Sequence, residues 1–318
     1  MYKFGILGPG NIARKFAAAC KEMDDVEVVA VASTNRERAE AFARIYGIDR
    51  AFGSYEELLE QDLDAVYISV VNNLHLQTVK QCLDYGKAVI CEKPAVCTLE
   101  EADELISYVR SKQVLFMEGM WTNFLPCIQK VKEWIQQEKI GRIRNIQSSF
   151  SFCSPYQENS RLFSRALGGG GLLDVGIYGI AFSMEMAGEN VTEVKSMMQM
   201  GMSQVDEFGT CLLRFENEII ANCNYGIRLS MPDDAFIYGE DGYIIVRKFW
   251  ASRCCERYDT KGNLLEYFMD PVENGFRYEI EHFIHLLDEK KMESDINSLE
   301  KTRSYYQVIQ KITENNQG

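Results

Sequence analysis

Positive charge is scarce in this chain of 318 residues: 34 Lys and Arg stand against 47 Asp and Glu, a formal net charge of −13. That balance argues against nucleic acid or an anionic membrane as a partner, while leaving room for a local basic pocket around a small phosphate. Long apolar runs are also missing, since none approaches the roughly 20 residues a membrane-crossing helix needs. The N-terminus lacks an apolar stretch followed by a small-residue cleavage site, so a cytoplasmic location is expected. Paired cysteine motifs are absent. The ten cysteines, at 20, 82, 91, 97, 127, 153, 211, 223, 254 and 255, are scattered with no C-x-x-C. Cys254 and Cys255 adjoin but have no second pair at zinc spacing. Reduced, buried thiols are expected, with neither disulfide nor structural metal. His282 and His285 lie three apart but lack a third ligand, which favours a solvated role over a metal pair. Met197, Met198, Met200 and Met202 are expected to pack a strand.

What is present is ordinary globular material, 46% hydrophobic and 25% charged. At about 150 residues per domain, the length suggests two domains, here 1–120 and 121–318. The first alternates strand and helix. Tyr2–Leu7 is apolar and ends in a glycine turn; Ile12, Phe16, Ala19, Cys20 and Met23 mark one face of a helix from Asn11. Val26–Ala32 is a β-branched run suited to a strand buried on both faces. A helix ending at Gly47, strands at 65–71, 88–91 and 114–117, and helices from His75 and over 99–112 continue the rhythm. It implies a doubly wound parallel sheet, a Rossmann-type α/β domain.

The second half predicts strands at 143–152, 206–215, 218–227, 235–247 and 253–268, joined by turns such as Glu216-Asn217 and Glu240-Asp241-Gly242. Short connections favour antiparallel pairing, and helices are expected at 174–187, 276–290 and 298–314. The class is α+β with a large, mainly antiparallel open sheet. Strand 218–227 is apolar or small on both faces. One face should cover helices and the other meet a second copy, so a homodimer through this sheet is expected. The last few residues are expected to be disordered.

Gly8-Pro9-Gly10-Asn11-Ile12-Ala13 follows the first strand and opens the first helix, fitting G-x-G-x-x-A. The first Gly makes the turn, the second lets backbone approach a pyrophosphate, and the helix N-terminus supplies amide donors. An unliganded tight turn is the alternative. The cofactor-selecting segment after the second strand reads Ser33-Thr34-Asn35-Arg36-Glu37-Arg38, without a carboxylate at 33 or 34. Small hydroxyls near Arg36 and Arg38 suit a 2′-phosphate, which places NADP ahead of NAD; both arginines could instead be solvated charges on a helix.

Three further segments matter: Val71-Asn72-Asn73-Leu74-His75, Cys91-Glu92-Lys93-Pro94, and Gly168-Gly169-Gly170-Gly171-Leu172-Leu173-Asp174-Val175-Gly176-Ile177-Tyr178. With the N-terminal loop, and in this order, the chain resembles the Gfo/Idh/MocA oxidoreductases over nearly its whole length. Met117–Pro126 and the Tyr at 178 make it most similar to the branch holding dimeric dihydrodiol dehydrogenase and NADP-dependent D-xylose dehydrogenase. The resemblance implies hydride transfer between a cyclic polyol, an aldose or trans-dihydrodiol, and a nicotinamide. It also implies that Val70, Asn72, His75, Glu92, Lys93 and Pro94 lie at the cofactor, and Trp121, Phe150 and Phe276 at the substrate. The sequence departs from that branch at Asn123 and Thr34, where Arg is frequent.

The residues fit this chemistry on their own terms. Oxidising an alcohol needs a base for the hydroxyl proton. Tyr has a reference pKa near 10, and a nearby ammonium such as Lys93 favours its phenolate. Asp174 and Tyr178, four apart, share a helix face. Asp174 could orient the substrate hydroxyl or Lys93, or merely suit the helix dipole. The catalytic candidates are Lys93, Asp174 and Tyr178. A nucleotide-sensing protein of the same fold, without turnover, is the alternative.

Overall fold

The computed structural model describes residues 1–188 and 190–316. It has two compact units: Met1–Trp121 with Asn274–Thr302, and Thr122–Glu273 with the segment from Arg303. A single cut after residue 120 thus misses a return of the chain to the first unit.

The first unit runs β1 (Tyr2–Leu7), α1 (Asn11–Lys21), β2 (Val26–Ala32), α2 (Arg36–Tyr46), β3 (Arg50–Phe52), α3 (Tyr55–Leu59), β4 (Ala65–Ile68), α4 (His75–Asp84), β5 (Ala88–Glu92), α5 (Leu99–Lys112) and β6 (Phe116–Gly119). All strands pair in parallel, in the order β3-β2-β1-β4-β5-β6. The sheet is buried on both faces. Phe4 packs against Phe16 of α1 and against Phe283, while Leu58 of α3 and Leu63 fill the space beside neighbouring Gly5, where a Cβ would lie 2.8 Å from each. Strand order reverses between β1 and β4, which pair directly; ligands of doubly wound sheets bind at such a point.

The second unit runs α6 (Pro126–Gln136), β7 (Ile143–Ser151), α7 (Ile177–Ala187), β8 (Val191–Met200), β9 (Asp206–Phe215), β10 (Ile220–Gly226), β11 (Ala235–Gly239), β12 (Gly242–Val246), β13 (Cys254–Asp259) and β14 (Leu264–Met269). The strand order is β14-β13-β12-β11-β7-β10-β9-β8, antiparallel except for the β7–β10 pair. Successive side chains alternate faces. Cys211, Cys223, Ser148, Ala235, Val246 and Cys255 form one cross-strand row beneath the helices. Leu212, Asn222, Gln147, Phe236, Ile245 and Tyr267 lie on the other face, in register through Glu256. After β14 the chain returns to the first unit with α8 (Phe276–Asp288) and then enters α9 (Leu299–Glu314).

Several elements differ from expectation. The stretch 253–268 is a hairpin, because Gly262 turns at φ +83° between β13 and β14. α6 was not anticipated, and of β8 only the strand at Met197, Met198 and Met200 was. Met197, Met198 and Met200 do lie on a strand, β8, but Met197 and Met200, like Met202 beyond it, are exposed, at 75%, 51% and 80%, rather than packed. The segment Arg165–Ala187 has the length and apolarity of a membrane span, against the expectation of no such run; 78% of its apolar window is buried within the protein, as in a core helix. Of the expected disordered tail, residues 317 and 318 lie outside the described residues. Asn315 and Asn316 are tied down: their side chains donate to Val194 O, Ser196 Oγ and Ile312 O, and Asn316 Oδ1 accepts from Met198 N.

Candidate active site

The glycine loop is a cradle of backbone. Gly8 has φ +88°, and a Cβ there would lie 2.7 Å from Ser69 O, so glycine is the residue that fits. Gly8 N donates to Ala32 O, and Ser69 Oγ donates to Gly8 O at 2.8 Å. A Cβ on Gly10 would meet nothing nearer than 3.9 Å, so backbone there stands beside open space. α1 begins directly after it at Asn11 and Ile12, with neither a side-chain cap nor an acidic first-turn residue among the described residues. Those amides suit a phosphate, and the residues present fit a dinucleotide.

Ser33 is buried at the end of β2, its Oγ accepting from Asn35 N, and Asn35 caps α2 by accepting from Arg38 N at 3.0 Å. Asn35, rather than Ser33 or Thr34, is therefore the helix cap. Arg36 is paired with Glu40 at 3.1 Å. Arg38 and Thr34 are exposed on the same turn.

His75 opens α4 and is 1% exposed. Its Nδ1 lies 2.7 Å from Pro94 O and its Nε2 3.2 Å from Val70 O, so the ring ties together the ends of β4 and β5. Asn72 is buried in the turn between β4 and α4. Glu92 is buried and accepts a short hydrogen bond from Tyr67 Oη. Lys93 follows Glu92 directly, and the Lys93–Pro94 peptide is cis. The next turn is held by Glu118, which accepts from Ala95 N at 2.9 Å and from Thr302 Oγ1 at 2.8 Å. Trp121 and Phe276, both buried, stack on each other at 4.8 Å.

In the second unit the glycine motif leads into a wide π-type turn over Leu172–Gly176, a feature frequent at functional sites, before α7 begins. The cause is Tyr225 of β10. Its ring lies 3.1 and 3.0 Å from where a Cβ would sit on Gly171 and Gly176, so the turn wraps an aromatic ring that side chains there would displace. Asp174 is buried and accepts from Arg161 Nη1 at 2.9 Å. Tyr178 is 5% exposed and meets Phe150 edge-on at 5.4 Å. Trp250 stacks on Phe150 at 4.4 Å and lies 6.2 Å from Tyr178, with its Nε1 donating to Asp233. Asn123, where the related branch carries Arg, is buried and donates to Tyr305 Oη at 3.1 Å.

Two side chains near this set escaped the sequence reading, Arg161 and Trp250. Neither sits in a periodic or motif-bearing stretch. His282 Nε2 lies 2.8 Å from Ser294 Oγ, and His285 pairs with Glu289.

Residues 2–120 match the family described as the oxidoreductase family with an NAD-binding Rossmann fold, and residues 128–245 match the GFO/IDH/MocA C-terminal domain. The trans-1,2-dihydrobenzene-1,2-diol dehydrogenase of Xenopus laevis is 32% identical over 308 residues, covering 93% of this chain and 92% of the relative. The scyllo-inositol 2-dehydrogenase (NADP(+)) IolU of Bacillus subtilis is 30% identical over 317 residues, covering 98% and 95%. A mutant of KijD10, a 3-ketoreductase from Actinomadura kijaniata in complex with TDP-benzene and NADP, superposes with a TM-score of 0.90 at 22% identity, covering 99% and 98%. The chain belongs to the Gfo/Idh/MocA family of oxidoreductases.

Proposed function

We propose that the chain is an NAD(P)-dependent dehydrogenase of cyclic polyols, an aldose or a trans-dihydrodiol, and that NADP is its preferred cofactor. The observation that carries this reading is the set on one helical segment of the second unit: Asp174 on the wide turn, and Tyr178 held edge-on to Phe150 beside Trp250. A phenol walled by aromatic rings is screened from water and is suited to exchange a proton with a substrate alcohol. The bound nicotinamide supplies the hydride acceptor. Tyr178 takes the hydroxyl proton, Lys93 assists with its positive charge, and Asp174 orients the alcohol. Phe150 and Trp250 offer flat apolar surface to the C–H face of a ring. Two relatives named above, a dihydrobenzene-diol and an inositol dehydrogenase, act on ring substrates bearing hydroxyls, which supports the substrate class.

NADP preference rests on Arg38 and on the missing carboxylate at 33 and 34. The test is absorbance at 340 nm with NADP or NAD and a panel of D-xylose, D-glucose, scyllo-inositol and trans-1,2-dihydrobenzene-1,2-diol. NADP reduction is expected with at least one. No turnover with any would favour the nucleotide sensor, and equal kcat/KM with both cofactors would remove the NADP preference.

We also propose that the open face of the eight-stranded sheet pairs two copies of the chain in the cytoplasm, where ten free thiols stay reduced. Leu212 and Tyr267 are exposed there, and Tyr238, Tyr243 and Tyr258 form a ladder with centroids 5.9 and 4.9 Å apart. Such an apolar face is characteristic of interfaces. Sedimentation equilibrium at micromolar protein is expected to give twice the 36.4 kDa chain mass; a monomer would remove the proposal.

A further inference from the structure

We propose that Asp206 is the positioning residue of the Asp174–Tyr178 segment, setting where these two side chains stand without itself touching substrate. The proposal rests on the reading of Tyr178 as the proton-transferring group.

Asp206 opens β9 and lies 34 residues from the turn it holds. Its Oδ2 accepts from Leu172 N at 2.6 Å, at the first residue of the π-type turn. A helix start normally has a nearby Ser, Thr, Asn or Asp to accept its free amides, yet Gly171 precedes this turn and no side chain of the flanking segment caps it. The carboxylate of Asp206 takes that part from another strand. The glycines are what admit it: a Cβ on Gly170 would lie 2.2 Å from Asp206 Oδ1, and one on Gly171 would lie 3.4 Å from Oδ2. Gly170, at φ +115°, also occupies backbone space that side chains disfavour. The glycine run thus serves contact with Asp206 and Tyr225, whereas Gly10 of the first unit stands beside open space.

The groups facing Asp206 are the amides of Gly171 and Leu172, its own amide, and the Tyr225 phenol from β10, whose buried hydroxyl has no partner among the described residues. None of these is a cation. Burial accordingly pushes the Asp206 pKa up to about 7, against the pull of the amides. From Leu172 to Tyr178 the backbone is continuous helix, so slack at the first amide reaches the phenol. A displacement of about 1 Å in a reacting group costs on the order of a hundredfold in rate.

The experiment compares Asp206→Ala, which removes the acceptor, with Asp206→Asn, which keeps one, and Tyr178→Phe. Hydrogen exchange of amides 172–178 is expected to quicken at least tenfold in Asp206→Ala and to stay near wild type in Asp206→Asn. With the best substrate of the panel, Asp206→Ala is expected to lose 10- to 100-fold in kcat with KM for NADP within twofold, and Asp206→Asn to stay within fivefold in both. If the Ala variant is insoluble, Asp206→Ser replaces it and must show the same losses, tested against the same Asn variant. Unchanged exchange in Asp206→Ala, or an Asn variant as impaired as the Ala variant, overturns the proposal. Wild-type turnover by Tyr178→Phe overturns instead the reading of Tyr178, and the exchange result still decides whether Asp206 holds the turn.

Discussion

The two sheets of this chain treat their faces differently, and their candidate site residues differ accordingly. The six-stranded parallel sheet is covered on both faces, and its ligand-facing edge is largely backbone: the Gly8–Gly10 turn, the first amides of α1, and two carbonyls gathered by His75. The eight-stranded sheet is covered on one face, and its candidate site is built of side chains: Asp174, Tyr178, Phe150 and Trp250, with Asp206 and Tyr225 against the turn that carries Asp174. Backbone cradles recognise what all dinucleotides share. Side-chain walls recognise what distinguishes one substrate from another. On the proposed function, the first unit supplies the cofactor contacts together with Lys93, Trp121 and Phe276, and the second supplies Asp174, Tyr178 and Phe150.

The sharpest way to break that assignment is Tyr178→Phe. Losing a positioned acid–base group costs about 10²- to 10⁴-fold, so kcat is expected to fall at least a hundredfold. Cofactor affinity, followed by NADPH fluorescence, should stay within twofold. Turnover within threefold of wild type would remove Tyr178 from the chemistry. Gly8→Ala probes the other side. It forces a side chain into φ +88° and to 2.7 Å from the Ser69 carbonyl, a strain of about 1–3 kcal/mol. NADP binding is expected to weaken roughly 5- to 100-fold at 1.4 kcal/mol per decade, with kcat at saturating NADP within threefold. A Gly8 variant that kept its affinity and lost kcat would invert the comparison.

The same contrast explains what the sequence disclosed. β1 and β2 match expectation to the residue, because their inner parts, Phe4–Leu7 and Val28–Ala32, are apolar runs, and α5 matches because Thr98 caps it and apolar residues recur at helical spacing. β3 and α3, at three and five residues, are too short to show a period. In the second unit only the methionine end of β8 was legible, because an edge strand mixes Glu, Lys and exposed Met. α6 was hidden because Pro126 reads as a break, although proline suits a first helical turn. The motif residues Lys93, Asp174 and Tyr178 stood out by family pattern. Asp206 and Trp250 did not, since what brings them to the α7 segment is sheet register and a turn after β12, which no local spacing encodes.

The smallest effect tests how the first unit tolerates a side-chain charge in its core. Glu279 of α8 is fully buried, with no partner for either carboxyl oxygen among the described residues, and burial together with the nearby Glu92 charge holds its pKa well above the usual carboxylate range. The folded protein therefore keeps this acid protonated at a pH where the unfolded chain, with a Glu pKa near 4.3, has lost its proton. The folded state binds more protons, so this group's contribution to stability is full below about pH 4 and declines as pH rises toward the folded pKa. Glu279→Gln keeps the shape without the titration. Its melting temperature relative to wild type is expected to rise between pH 5 and pH 8 by a few degrees, as suits a change of about 1 kcal/mol. Asp206, in the second unit, has backbone amides to accept from and is raised only to about 7. Asp206→Asn should thus show its own rise largely complete by pH 7. A Glu279→Gln difference that stays flat from pH 5 to pH 8, read by scanning calorimetry, would mean that the buried acid titrates as it does in the unfolded chain, and the unit built on backbone would then carry no charge penalty in its core.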